Sequence, residues 1–145
     1  MKINIENLNR KRKISPGKIT KICQVVLKSL KKNNIELNIV FVSNQKIRSL
    51  NRKYLKSDRA TDVLAFDQGP IKEKTVFKNL GDIIVSSDKA FQNAQLFNVT
   101  FFEEIALYVI HGILHLLGYD DVKNKDKIIM KEKENAFLKK VSHIF

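Results

Sequence analysis

The sequence predicts a single α+β domain, α/β-like in its alternation, with a central sheet of about four strands packed by about five helices. Three observations predict it. Segments with an apolar residue at every second position alternate with segments whose apolar residues recur every three to four. The 145 residues suit one domain, and two would each fall near the lower limit of self-sufficiency. Hydrophobic residues make up 43% and charged residues 29%, a globular balance that excludes a disordered chain.

Residues 2–6 (KINIE) alternate apolar and polar, as a half-buried strand does. Ser15 and Pro16 supply the cap and first residue of an amphipathic helix over 16–31. Its apolar face is Ile19, Ile22, Cys23, Val26, Leu27 and Leu30, so Cys23 reads as a buried, inert thiol. Asn33-Asn34 turns the chain, and Ile35 to Val42 reads as a core strand. Ser43 caps a helix carrying Ile47, Leu50 and Tyr54, with Arg48, Arg52 and Lys56 along one exposed side. Val63 to Phe66 is a short apolar strand ended by Asp67-Gln68-Gly69-Pro70. Gly81 to Val85 is another strand, after which Ser87 or Asp88 starts a helix with Ala90, Phe91 and Ala94 inside.

Thr100-x-x-Glu103 is a capping box opening the apolar segment Ile105 to Leu117. Gly118 stands where a helix commonly ends in a left-handed residue. Residues 123–142 are expected to form the last helix, with Ile129, Ala136, Phe137 and Val141 turned inward.

No stretch approaches the roughly 18 apolar residues of a membrane span, and MKINIENLNRKRK lacks the apolar core of a signal peptide. The lone cysteine cannot form an internal disulfide. The expectation is a cytoplasmic protein without membrane contact. Charge adds a partner. Lys and Arg total 27 against 15 acids, a net of +12. Residues 1–59 carry a net +13 and residues 60–145 a net −1. An excess confined to one part of the chain points to a polyanion such as RNA.

The chemistry lies in His111-Gly-Ile-Leu-His115-Leu-Leu-Gly118-Tyr119-Asp120-Asp121. His111 and His115 stand one turn apart on a helix, so both imidazoles can reach one metal ion. Gly118 then reverses the chain, and Asp121 falls ten residues beyond His111, a spacing similar to the metzincin pattern. Three protein ligands with an open fourth position describe a catalytic zinc site. A zincin peptidase needs Glu directly after the first His, and Gly112 occupies that place. Glycine inside a helix costs about 1 kcal/mol against Ala, so the missing side chain makes room for something.

These residues resemble the signature H-G-x-L-H-L-x-G-Y-D-H of the bacterial YbeY-type endoribonucleases, also called rRNA maturation factors, with 111–120 matching throughout. Asp58 to Phe66 (DRATDVLAF) is similar to the family's D-R-x-T-D-V-L-x-F, and Leu80 to Ser86 (LGDIIVS) to its L-G-D-I-x-I-S. Met130 and Glu134 are similar to an M-x-x-x-E pair of its last helix. One residue departs: the family's third ligand is histidine, and this chain has Asp121. A carboxylate is an acceptable zinc ligand, but it is shorter than histidine and makes the set more tolerant of manganese or iron. Asp120 is the fallback ligand.

The resemblance implies one bound Zn²⁺ and single-strand cleavage of ribosomal RNA at the 3′ end of the small-subunit species, with a role in ribosome quality control. The implied partners are ribosomal RNA and the small ribosomal subunit. It also implies that Arg59 grips the scissile phosphate, since guanidinium matches phosphate oxygens in pairs. Thr61, Asp62 and, more weakly, Glu104 are candidates to orient the ligands, and His143 reads as a surface residue. Two other readings stay open: a metal-dependent hydrolase of another substrate, and a non-catalytic ribosome-assembly factor with a structural metal.

Overall fold

The computed structural model describes residues 1–55, 63–67 and 78–145. Four strands form one sheet: β1 (Lys2–Asn7), β2 (Ile35–Val42), β3 (Val63–Asp67) and β4 (Lys78–Ser86), in the order β1-β2-β4-β3. The first three positions in that order run parallel, and β3 pairs antiparallel with β4 through Val63↔Val85 to Asp67↔Gly81. The helices are α1 (Pro16–Ser29), α2 (Asn44–Leu55), α3 (Ser87–Phe97), α4 (Phe101–Leu116) and α5 (Asn124–Val141), closed by a 3₁₀ turn over Ser142–Ile144.

Alternation along β2 explains the layering. Ile35, Leu37, Ile39 and Phe41 are buried on the face shared with α1 and α4, where they join Ile83 and Val85 of β4. Val40 and Val42 point to the other face and meet Ile47 of α2 and Leu64 of β3 in a second, smaller core. The chain therefore stacks helices on both sides of a mixed sheet, as the alternating pattern predicts.

Caps set the helix limits. Ser15 Oγ accepts from the Lys18 N–H and Thr100 Oγ1 from the Glu103 N–H. α3 starts at Ser87, one of the two expected residues, and its cap is Ser86, whose Oγ accepts from the Lys89 N–H. α1 stops two residues short of the predicted Lys31. Lys31 takes φ 58°, and the Lys31 and Lys32 N–H groups bond back to Lys28 and Leu27.

Two inward assignments on α5 need correction. Ile129 is 38% exposed and Ala136 is exposed, while the buried residues are Met130, Glu134, Phe137 and Val141. Tyr54 of α2 is 57% exposed, and its ring meets that of Phe66 in a T-shaped contact. Arg48 and Arg52 do lie on the exposed side of α2, and Lys56 lies outside the described residues.

A polar clamp ties the carboxyl ends of the parallel strands together. Asp88, at the start of α3, accepts from the Asn9 amide at 2.9 Å, the Asn44 N–H at 3.0 Å and Arg12 Nε at 3.3 Å. Burial alone would raise the Asp88 pKa; these bonds from Asn44, Asn9 and Arg12 outweigh it and hold the carboxyl below its ordinary value. Arg12 also stacks on Phe91 at 3.9 Å, which fixes the basic 10–13 segment to α3.

Candidate metal centre

α4 runs from its Thr100 cap through a nearly continuous apolar segment, so most of it is buried. His111 and His115 are its half-buried polar exceptions near the carboxyl end. The Gly112 between them faces the sheet. A Cβ built there would lie 2.7 Å from Ile83 Cγ2 and 3.0 Å from Ile83 Cδ1. The missing side chain makes room for β4, and this seats the two histidines over the sheet.

Gly118 turns the chain. Its φ is 100°, and no atom crowds a Cβ there, so backbone conformation rather than space calls for glycine. The Gly118 N–H bonds to the His115 carbonyl and the Tyr119 N–H to that of Leu114, closing the helix end. Asp120 continues the reversal: its Oδ1 accepts from the Asp121 N–H at 2.7 Å and the Val122 N–H at 3.3 Å. Asp120 thus shapes the turn, and Asp121 is the carboxylate that comes back to the histidines.

His111 Nε2 and His115 Nε2 are 2.9 Å apart, and Asp121 Oδ2 lies 3.5 Å from each. Tetrahedral bonds of about 2.1 Å would space three such atoms about 3.4 Å apart, so the triangle fits one metal ion. Among the described residues this is the one group of three that could hold a metal.

The fourth residue of the centre comes from α5. Glu134, buried, approaches His111 Nδ1 at 2.6 Å. A carboxylate on Nδ1 keeps the proton there and leaves the Nε2 lone pair facing His115 and Asp121. Glu104, the weaker of the sequence candidates for orienting the ligands beside Thr61 and Asp62, is buried on α4 two turns before His111. The carboxylate on the ring is that of Glu134. Sequence reasoning noted Glu134 without giving it a role; the available signal was an acid at a core-facing position, one turn after Met130. A cavity of about 210 Å³ opens beside the centre, bordered by Lys127 and Lys131 together with His111, Asp121 and Glu134. Those two lysines, four apart on α5, were also missed. Arg59, Thr61 and Asp62 lie outside the described residues. Cys23 is fully buried and its thiol is pushed up to about 12, in keeping with an inert role.

A mixed α+β sheet carrying an H-x₃-H helix, a returning carboxylate and no glutamate after the first histidine defines a metal-site domain distinct from the zincin peptidases. The family model described as Endoribonuclease YbeY matches residues 4–142. The chain belongs to that family. It is 40% identical over 134 residues to Endoribonuclease YbeY of Aquifex aeolicus, covering 92% of this chain and 88% of the relative. It is 37% identical to Endoribonuclease YbeY of Clostridium kluyveri, covering 84% and 86%. The solution structure of TM1509 from Thermotoga maritima superposes with a TM-score of 0.64 at 32% identity, covering 96% of this chain and 88% of that one.

Proposed function

We propose that this chain is one catalytic domain, a zinc-dependent endoribonuclease that cuts single-stranded RNA in the cytoplasm during maturation of the small-subunit ribosomal RNA 3′ end and in ribosome quality control. The observation that carries the reading is the 2.9, 3.5 and 3.5 Å triangle of His111, His115 and Asp121, set beside a lysine-bordered cavity in a chain of the YbeY family. When bound, the zinc supplies a Lewis acid for a phosphate oxygen and lowers the pKa of a water to near 7.

The residues divide the remaining work. His111, His115 and Asp121 hold the ion, and Glu134 keeps the His111 proton on Nδ1 so that Nε2 stays a ligand. Lys127 and Lys131 draw phosphates to the cavity mouth. Arg59 takes the scissile phosphate in a paired contact and steadies the charge that builds on it. Gly112 leaves no carboxylate beside the first histidine, which separates this chemistry from peptide hydrolysis.

The test is to incubate the purified, zinc-loaded protein with RNA spanning the 3′ end of precursor small-subunit rRNA. Internal cuts in single-stranded regions are expected. Release of single nucleotides from an end, or intact RNA throughout, would overturn the proposal.

A further inference from the structure

A second concave surface lies between the outer face of α1 and the 3₁₀ turn at 142–144. It is a groove of about 370 Å³ bordered by Lys18, Lys21, Lys28 and His143, with Val25 and Ile144 as apolar lining. Positions 18, 21, 25 and 28 recur three and four apart, so they form one stripe along α1. That stripe is about 15 Å long at 1.5 Å per residue. α1 contains no acidic residue, and among the described residues no carboxylate makes an ion pair with the three lysines. Lys18 and Lys21 stand three apart, a like-charge pair that weakens a helix rather than supporting it, so the stripe does not serve the stability of α1.

Its place relative to the metal centre gives it a use. Lys18 Nζ lies 5.2 Å from the Phe102 ring, at the amino end of α4, whereas His115 is at the carboxyl end. The thirteen intervening steps make about 20 Å. α5 links the two places: Lys127 and Lys131 border the metal cavity, Lys139 and Lys140 lie in its last turn, and His143 follows at the groove. The helix carries six lysines against three acids, of which Glu134 is turned inward to His111.

We propose that the α1 groove is a second RNA contact, holding phosphates of the same single strand that is cut at the metal centre. The proposal rests on the RNA reading above and adds the path of the strand. Phosphates spaced about 3.4 Å along a stacked strand would place the groove roughly six nucleotides from the cut. Lysines act there as point charges, so the contact is indifferent to base sequence.

The experiment compares wild type with the Lys21→Glu/Lys28→Glu and Lys21→Gln/Lys28→Gln variants, all zinc-loaded, by fluorescence anisotropy. The two probes are a single-stranded RNA of about fifteen nucleotides and a trinucleotide too short to span about 20 Å. Affinity for the long probe should fall about tenfold in the Glu variant and less in the Gln variant, with the salt slope reduced by about 1.4 for two lost contacts. Affinity for the trinucleotide should hold at the wild-type level. Equal affinity of all three proteins for the long probe would overturn the groove assignment, as would an equal loss on both probes. Failure of wild type to bind either RNA would instead overturn the RNA reading itself. A groove that captured an acidic peptide while leaving the long RNA unaffected would assign it to a protein partner and refute the proposal.

Discussion

The Glu134 carboxylate stands 2.6 Å from His111 Nδ1, joining the middle of the last helix to the carboxyl end of α4. The contact explains why an acid occupies a buried position between Met130 and Phe137. It also couples the packing of α5 to the orientation of one of the three candidate metal ligands.

Glu134→Ala should therefore weaken zinc binding by about 10- to 100-fold while His115 and Asp121 stay in place. Glu134→Gln retains an acceptor oxygen and should lose less. Competition with a chromophoric chelator measures both. Wild-type affinity in the Ala variant would remove Glu134 from the centre.

Gly112→Ala adds a methyl 2.7 Å from Ile83 Cγ2, a branched, fully buried group with little freedom to move. Overpacking of this kind costs about 1–3 kcal/mol, and the gain in helix propensity returns only about 1 kcal/mol. The net effect should be a loss of stability, seen as a lower denaturation midpoint. In an Ile83→Ala background the same change should cost less, and the difference measures the contact.

Asp88 gives the fold an acid-sensitive clamp. Its carboxyl is held below the ordinary value of 3.8, so the stabilisation is complete above that pH and is lost as pH falls through the lower folded value. Asp88→Ala should cost about 2 kcal/mol near neutral pH, the scale of charged hydrogen bonds. The gap in melting temperature between wild type and variant should narrow on acidification below 3.8. A gap that widened there would show the opposite linkage.

Arg59→Ala should raise the cleavage barrier by about 2–4 kcal/mol, with a smaller effect on RNA affinity and none on metal content. Lys at this position should recover part of the rate. Single-turnover kinetics beside elemental analysis separates these effects. A variant that lost its metal would mark a structural role instead.

Features legible in the sequence were those written in neighbouring residues. The Ser15 and Thr100 caps, the His111–His115 pair and the Gly118 reversal each need only a few positions, and each appears where expected. Glu134 depends on a partner 23 residues away, so no local pattern assigned it. Counting only apolar residues then chose Ile129 and Ala136 for the inner face of α5, when the buried stripe contains an acid. Lys31 ended α1 early because a non-glycine residue took the left-handed conformation, which its identity does not announce. Net charge hides placement as well. The net −1 of residues 60–145 conceals the six lysines of α5, because net charge ignores which acids are buried and which surfaces carry the cations.

The most direct measurement is a zinc titration of chelator-treated protein, followed by the rate of internal cleavage of a single-stranded precursor rRNA fragment. Cleavage should be absent without metal and rise to a plateau at one zinc per chain. His115→Ala should stay folded, since a chain of this size buries a core without the ion, yet should neither retain zinc nor regain activity. Cleavage that proceeds at full rate in the metal-free protein, or in His115→Ala, would contradict a catalytic centre at His111, His115 and Asp121.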